Sequence, residues 1–276
     1  MTAGYLGKLF SLDGQTAVVT GGTGVLGRGM AMALAMAGAR VGVLGRRRGL
    51  GEEVAAQIRA QGGEAMVLPA DALDRDSLLA AREIVMRQWG GVQALVNAAG
   101  GTKPAASVGE ASDVFSMSAD AFREVVDLNL FGTLLPSLVF GETMVKSGGG
   151  AIVNISSMSA SRALTRVAGY GAAKAAVENL TRWLAVELAR RHGDSIRVNA
   201  VAPGFFIGEM NRALLVEADG TPTKRGKLVI EHTPAGRFGV PDDLAGALVF
   251  LCGPGSRFVN GVVVPVDGGF NAFSGV

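Results

Sequence analysis

The sequence predicts a single α/β domain: a doubly wound, seven-stranded parallel sheet with helices on both faces. Three observations predict it. Short apolar runs alternate with longer helical patterns along all 276 residues. The short runs are apolar almost throughout, as strands buried on both faces are. A glycine-rich turn joins the first of them to the first long helical pattern, and no Pro/Ser-rich linker or internal repeat divides the chain.

The strands are expected at 16–20 (TAVVT), 40–45 (RVGVLG), 64–70 (EAMVLPA), 94–100 (ALVNAAG), 151–157 (AIVNISS), 197–203 (RVNAVAP) and 261–268 (GVVVPVDG). Helices are expected near 25–38, 50–61, 74–88, 119–145, 169–191 and 241–252. Two segments read as irregular, 101–118 and 205–240. Loops this long in a compact domain often carry function, and in such a sheet they lie over the carboxyl ends of the strands. The second reads as a substrate lid; the first serves equally well as an interface element.

Composition narrows the classes. Hydrophobic residues make up 49% of the chain and glycines number 41, which fits a large core cut by tight turns. The net charge of +2, with no like-charged block longer than Arg46-Arg47-Arg48, argues against a nucleic-acid footprint. One cysteine, Cys252, rules out an intrachain disulfide framework and fits a reducing, cytoplasmic compartment; it reads as a packed core thiol. The opening MTAGYLGKLFSLDG has no long apolar stretch of the signal-peptide kind. The most apolar stretches, near 30–45 and 125–144, are interrupted by Arg40 and Asp127, so no membrane span is expected. The histidines and the cysteine lie far apart, and no metal site is expected.

Thr20-Gly21-Gly22-Thr23-Gly24-Val25-Leu26-Gly27 lies between the first strand and the apolar helix GRGMAMALAMAGA. Glycines there allow a tight turn and close approach of the backbone to a pyrophosphate at the helix N-terminus. Dinucleotide sites usually carry an acid about twenty residues on, to bind the ribose hydroxyls. Here the second strand ends Gly45-Arg46-Arg47-Arg48, without a carboxylate. A guanidinium can grip a 2′-phosphate bidentately, which predicts NADP(H) over NAD(H), with Arg46 as the leading contact and Arg47 second. The alternative is a solvated basic cap on the next helix. Asp71, closing LPAD, is placed to receive an adenine amino group or simply to form a turn.

Ser157 ends AIVNISS, and Tyr170 and Lys174 follow in AGYGAAKAAVENL. Residues four apart share a helix face, so phenol and ammonium can meet, while a buried strand delivers the Ser157 hydroxyl. Carbonyl reduction needs such a set: donors to a developing alkoxide and a cation that lowers the phenol's pKa. Standing alone, the Tyr-x-x-x-Lys pattern fits an ordinary surface helix equally well.

Taken in order, TGGTGVLG, the Asp71 turn, NAAG (97–100), DLNLFG (127–132), NISS with Tyr170-x-x-x-Lys174, VNAVAPG (198–204) and VDGG (266–269) resemble the short-chain dehydrogenase/reductase family over essentially the whole chain. The resemblance implies one NAD(P)-binding Rossmann domain over 1–276 and a catalytic tetrad of Asn129, Ser157, Tyr170 and Lys174. Ser157 would orient the substrate carbonyl and Tyr170 would protonate it. Lys174 would bind the nicotinamide ribose and depress the phenol pKa, and Asn129 would hold a water linked to Lys174. Gly132 and Pro136 are compatible with a locally loosened helix at Asn129. The cofactor would be held by Gly21, Thr23, Gly24, Val25, Leu26, Gly27, Arg46, Arg47, Asp71, Ala72, Asn97, Ala98, Ala99, Tyr170, Lys174, Pro203, Gly204, Phe206 and Ile207. The chain departs from the family pattern where Gly24 comes one place early, where Ala98 replaces a common Asn, and where Gly208 stands in place of a Thr near the cofactor amide.

GVLGRGMA, DLNLFGTLLPSLVF, NISSMSA, APGFFIGEMNRALL, HTPAGRFG and GVVVPVDGGFNAFSGV resemble the D-mannonate oxidoreductase, or fructuronate reductase, branch of that family. Many of its members keep an acid where Arg46 stands. The resemblance implies a small-molecule sugar acid as substrate, with 5-ketogluconate or a 3-oxoacyl thioester as alternatives and a silent dinucleotide sensor as the reading from another class. A hexuronate pocket should offer a cation and polar donors, for which Arg162, Arg166, Asn211 and Arg212 are candidates, ahead of Lys103 and His232. The arginines could equally be solvated or paired with lid carboxylates such as Glu209. Met158 either lines the pocket or belongs to the core. Family members are commonly tetramers, so a homotetramer or homodimer is expected, pairing helices such as 119–145 and 169–191. The terminal NAFSGV could run free or dock on a neighbouring subunit.

Overall fold

The structure is a computed structural model and describes residues 4–109 and 113–275. Positions 110–112 of the first irregular segment and Val276 of the C-terminal tail lie outside the described residues.

After a short helix α1 (Tyr5–Phe10), the elements run β1 (Thr16–Thr20), α2 (Val25–Met36), β2 (Arg40–Gly45), α3 (Arg48–Ala60), β3 (Glu64–Pro69), α4 (Arg75–Trp89) and β4 (Ala94–Asn97). Then come α5 (Ala119–Val126), a wide π turn (Asp127–Phe131), α6 (Gly132–Lys146), β5 (Gly150–Ile155), α7 (Ala168–His192) and β6 (Ile196–Pro203). The chain closes with α8 (Arg212–Leu215), α9 (Lys224–Glu231), α10 (Ala245–Cys252) and β7 (Val263–Val266).

The strands form one seven-stranded sheet in the order β3-β2-β1-β4-β5-β6-β7, with every pairing parallel. Strand order reverses between β1 and β4, which opens a crevice at their carboxyl ends. Side chains alternate between the two faces: Ala17 and Val19 of β1 pack with Met30, Leu34, Val54 and Leu248 on one side, while Val18 packs with Leu78, Phe140 and Leu184 on the other. Both faces are therefore dry, which is why the strands read as unbroken apolar runs.

The expected strands are present, with shorter ends at four of them. β4 stops at Asn97 because the N–H groups of Ala98 and Ala99 turn to the Thr20 hydroxyl, each at 3.1 Å. β3 stops at Pro69, β5 gives way after Ile155 to a short 3₁₀ turn, and β7 is bracketed by Gly261 and Gly268, both at positive φ. The helix expected at 241–252 is split into a 3₁₀ turn (Pro241–Leu244) and α10. Within 205–240 the chain forms α8, α9 and an isolated bridge between Val216 and Pro222.

Cys252 is 4% exposed, and burial pushes its thiol up to about 12. The continuous helical stretch Ala119–Lys146 is long and apolar enough to cross a bilayer, yet it lies against β4 and β5 as a core helix. The tail does not run free at Asn271. Its side-chain oxygen accepts from Ser161 Oγ and Arg162 Nε, both at 3.0 Å, and its N–H donates to Asp267. The tail is therefore tied to its own chain at Asn271.

Candidate active site

The turn between β1 and α2 is built by close approach. Gly21 sits at φ 63°, and a Cβ there would stand 2.7 Å from the Ala98 carbonyl oxygen. A Cβ on Gly27 would stand 2.2 Å from the Gly21 oxygen, so only glycine fits either position. Gly24 is looser, and its N–H closes the turn onto the Gly21 oxygen at 3.0 Å. Its early position leaves the turn intact. Gly24 also caps α2 without a side chain, so the first amides of the helix, from Val25 onward, face the turn with no side-chain partner. This cradle, which any added Cβ would fill, fits a dinucleotide's pyrophosphate.

At the neighbouring strand ends the arginines diverge. Arg46 Nη1 lies 3.6 Å from Asp71 Oδ2. Arg47 turns the other way, reaching the Thr23 carbonyl at 3.4 Å and Glu209 Oε2 at 3.6 Å. Asp71 does form a turn, since its Oδ1 accepts from Leu73 N–H at 3.0 Å, and its second oxygen faces Arg46. Ala72, beside it, is buried.

Asn97 differs from expectation. Its side chain is fully buried, donating at 2.8 Å to both Ser137 Oγ and Asn154 Oδ1, and Asn154 passes the chain on to Thr181 at 2.9 Å. Its amide ties β4 and β5 to α6 and α7, so any contact with a cofactor falls to its backbone and to Ala98 and Ala99.

Asn129 sits in the π turn between α5 and α6, where the sequence hinted at a loosened helix. Its Nδ2 donates to the Val125 and Gly101 carbonyls, both at 2.7 Å, and its Oδ1 accepts from Gly101 N–H at 3.1 Å. The extra residue per turn swings this side chain toward the end of β4. Lys174, 3% exposed, donates from Nζ to the Ile155 carbonyl at 2.7 Å. A Cβ on Gly100 would stand 2.6 Å from Asn129 Oδ1 and 3.3 Å from Lys174 Nζ, so both groups close on one spot.

Tyr170 lies above Lys174, whose Nζ is 5.5 Å from the centre of the ring. Ser157 caps the 3₁₀ turn Met158–Ala160, and its Oγ accepts from Ser159 N–H at 3.2 Å. Burial pushes the Tyr170 phenol up, and the adjoining Ser157 hydroxyl pulls it back in part. Burial also pushes the Lys174 amine down to about 8. The expected depression of the phenol by Lys174 does not appear here: burial raises it, and the downward pull comes from the Ser157 hydroxyl. A neutral phenol, a hydroxyl and a poised amine at the carboxyl edge of β5 can protonate a carbonyl oxygen.

Beyond β6, Pro203 and Gly204 bring the chain against β7: a Cβ on Gly204 would stand 2.6 Å from Asp267 Cα. Phe206 is buried, its carbonyl accepts from Asn211 Nδ2 at 2.8 Å, and Ile207 is half-buried beside it. Asn211 Oδ1 also accepts from Gly208 N–H at 2.8 Å, so Asn211 shapes the lid's first turn. Arg162 is held by Asn271, Lys103 by an ion pair with Glu124, and His232 by the Leu228 carbonyl. Arg212 is exposed at the start of α8. Arg166 adopts φ 79°, and its carbonyl accepts from Val108 N–H at 3.0 Å. Met158 is 3% exposed, against Gly204. A cavity of about 390 Å³ is lined by Gly204, Phe206, Thr233, Arg237 and Asp267, away from Tyr170. Sequence reasoning passed over Thr20, Gly100 and Ile155; of these only Gly100 had a signal, the last place of NAAG.

Comparison with known proteins accords with this geometry. Residues 23–271 match the family model described as Enoyl-(Acyl carrier protein) reductase. An uncharacterized oxidoreductase, UxuB, of Bacillus subtilis (strain 168) is 45% identical over 96% of this chain and 98% of its own. The crystal structure of a candidate D-mannonate oxidoreductase from Haemophilus influenza with bound NAD superposes with a TM-score of 0.90 at 38% identity, covering 98% of this chain and 100% of that one. A gluconate 5-dehydrogenase from Burkholderia cenocepacia, in complex with NADP and tartrate, gives 0.86 at 31% identity over the same shares. With the cradle, the parallel sheet and these relatives in agreement, the chain belongs to the short-chain dehydrogenase/reductase family, NAD(P)-dependent oxidoreductases that act on CH–OH groups and the corresponding carbonyls.

Proposed function

We propose that this protein interconverts a keto sugar acid and its secondary alcohol, of the fructuronate/mannonate type, with NADP(H) as preferred cofactor. One observation carries the reading: Asn129 and Lys174 close on Gly100, Lys174 Nζ lies 5.5 Å from the centre of the Tyr170 ring, and Ser157 adjoins the phenol. Relatives named for mannonate and gluconate support the substrate class. The absence of an acid at Arg46 supports the cofactor preference.

When bound, the nicotinamide supplies or accepts the hydride. Tyr170 gives its proton to the carbonyl oxygen as charge builds there, and recovers it in the oxidising direction. Ser157 Oγ accepts from Ser159 N–H, and its own proton, shared with the phenol, can turn to the same oxygen. Lys174, fixed by the Ile155 carbonyl, would hold the ribose hydroxyls and place its charge beside the phenol. Asn129 orders the water beside it. Gly21, Gly27 and the start of α2 would hold the pyrophosphate, while Arg46 and Arg47 would hold a 2′-phosphate. Arg212, exposed at the start of α8, and Arg166 would be the cations for a substrate carboxylate, and residues 205–240 would act as the lid.

The same reading makes the protein a cytoplasmic homotetramer or homodimer. Outward apolar side chains on the long helices, Phe131 and Leu138 toward α6 and Trp183 and Val186 on α7, support that assembly.

The test follows reduced-nicotinamide absorbance with NADPH and with NADH against D-fructuronate, 5-ketogluconate and a 3-oxoacyl thioester. The reading expects D-fructuronate with NADPH to give the highest kcat/KM. Turnover of the thioester alone would replace the substrate class, and cofactor binding without turnover of any carbonyl would return the sensor reading.

A further inference from the structure

Arg47 and Glu209 are far apart in sequence and meet across the mouth of the crevice. Arg47 caps α3 at the end of β2 and leans on Thr23 of the glycine turn. Glu209 belongs to the segment after β6, which reaches over the sheet edge: a Cβ on Gly101, just past β4, would stand 2.8 Å from the sulfur of Met210. The Arg47 Nη1–Glu209 Oε2 separation is 3.6 Å, and both side chains are more than half exposed. The lid thus carries a carboxylate to one of the arginines that would otherwise face a 2′-phosphate. Arg46 is engaged differently, by an Asp71 already fixed through Leu73 N–H.

We propose that Glu209 is a specificity-determining residue that sets how far the protein favours NADP(H) over NAD(H). A phosphate dianion and the Glu209 carboxylate compete for the same guanidinium. Binding a 2′-phosphate means giving up the Arg47–Glu209 pair, or holding two like charges beside one cation. A dinucleotide without the phosphate leaves the pair closed over it. The lid carboxylate therefore weakens NADP(H) binding and leaves NAD(H) binding nearly untouched, offsetting part of the preference that Arg46 creates. This rests on the reading that the arginines receive a 2′-phosphate, but it concerns a separate residue pair.

The test is a double-mutant cycle on the full chain: wild type, Glu209→Gln, Arg47→Gln and the double variant, with dissociation constants for NADPH and NADH measured by fluorescence titration. Both positions are exposed, so the variants should fold, and an unchanged Tm without cofactor checks it. Glu209→Gln should tighten NADPH by about two- to fivefold, the scale of one exposed ion pair, with NADH unchanged. That gain should vanish in the Arg47→Gln background. An equal effect on both cofactors, no effect, or a gain that survives Arg47→Gln would overturn the proposal. Failure of Arg46 variants to alter preference would instead count against the Arg46 reading and leave the Glu209 cycle intact.

Discussion

Asn129 and Lys174 converge on Gly100 from separate helices, one from the π turn and the other from α7, within 2.6 Å and 3.3 Å of where a Cβ on that glycine would stand. The Gly100 backbone is not in the left-handed region, so alanine is acceptable to the main chain there and only the space is lacking. Gly100→Ala should therefore displace one of the two polar groups while leaving the fold in place. Kcat should fall by about 10²-fold, the cost of a misplacement near 1 Å, with an unchanged circular dichroism spectrum. Activity within twofold of wild type would show that the convergence has no part in turnover.

The buried amine gives a pH signature in stability. Lys174 has a folded pKa near 8, below its ordinary 10.5, so between those values the unfolded chain binds more protons. Its contribution must then become more favourable as pH rises from about 8 toward 10.5. Lys174→Met should accordingly be more stable than wild type near pH 7, and the difference should shrink as pH climbs. Thermal melts of both proteins from pH 7 to 10 check the sign; a constant gap would refute the buried, depressed amine.

Asn97 carries a structural prediction. Its amide donates to Ser137 and Asn154, both buried in the core. Asn97→Ala should cost about 1–3 kcal/mol, the penalty for orphaning buried polar groups. Urea denaturation measures it, and a loss below a few tenths would contradict the network's role.

The cofactor assignment is tested at Arg46. Arg46→Asp should move the NADPH/NADH preference toward NADH by about 10- to 100-fold, the worth of a charged hydrogen bond to phosphate. The ratio of the two dissociation constants reads it directly, and an unchanged ratio would remove Arg46 from the phosphate site.

The parallel sheet was legible because strands covered on both faces must be apolar throughout, as TAVVT and AIVNI are. The spacing of Tyr170 and Lys174 was legible because a helix puts residues four apart on one face. The π turn was legible only in outline, through Gly132 and Pro136, since its width depends on how Asn129 bonds to Gly101. Pairings between distant segments were not legible at all. Nothing in the local sequence says that Arg162 is taken by Asn271, that Asn97 turns into the core, or that Glu209 reaches Arg47. Helix α1 escaped notice because it buries none of its residues and so has no core face to print a period.

The phenol of Tyr170, lifted by burial and set between Ser157 and Lys174, is the centre of the account. Removing only its hydroxyl tests it most directly. Kcat/KM for D-fructuronate reduction by NADPH should drop by about 10²–10⁴-fold in Tyr170→Phe, with NADPH affinity nearly unchanged. Turnover by that variant close to the wild-type rate would contradict Tyr170 as the proton donor.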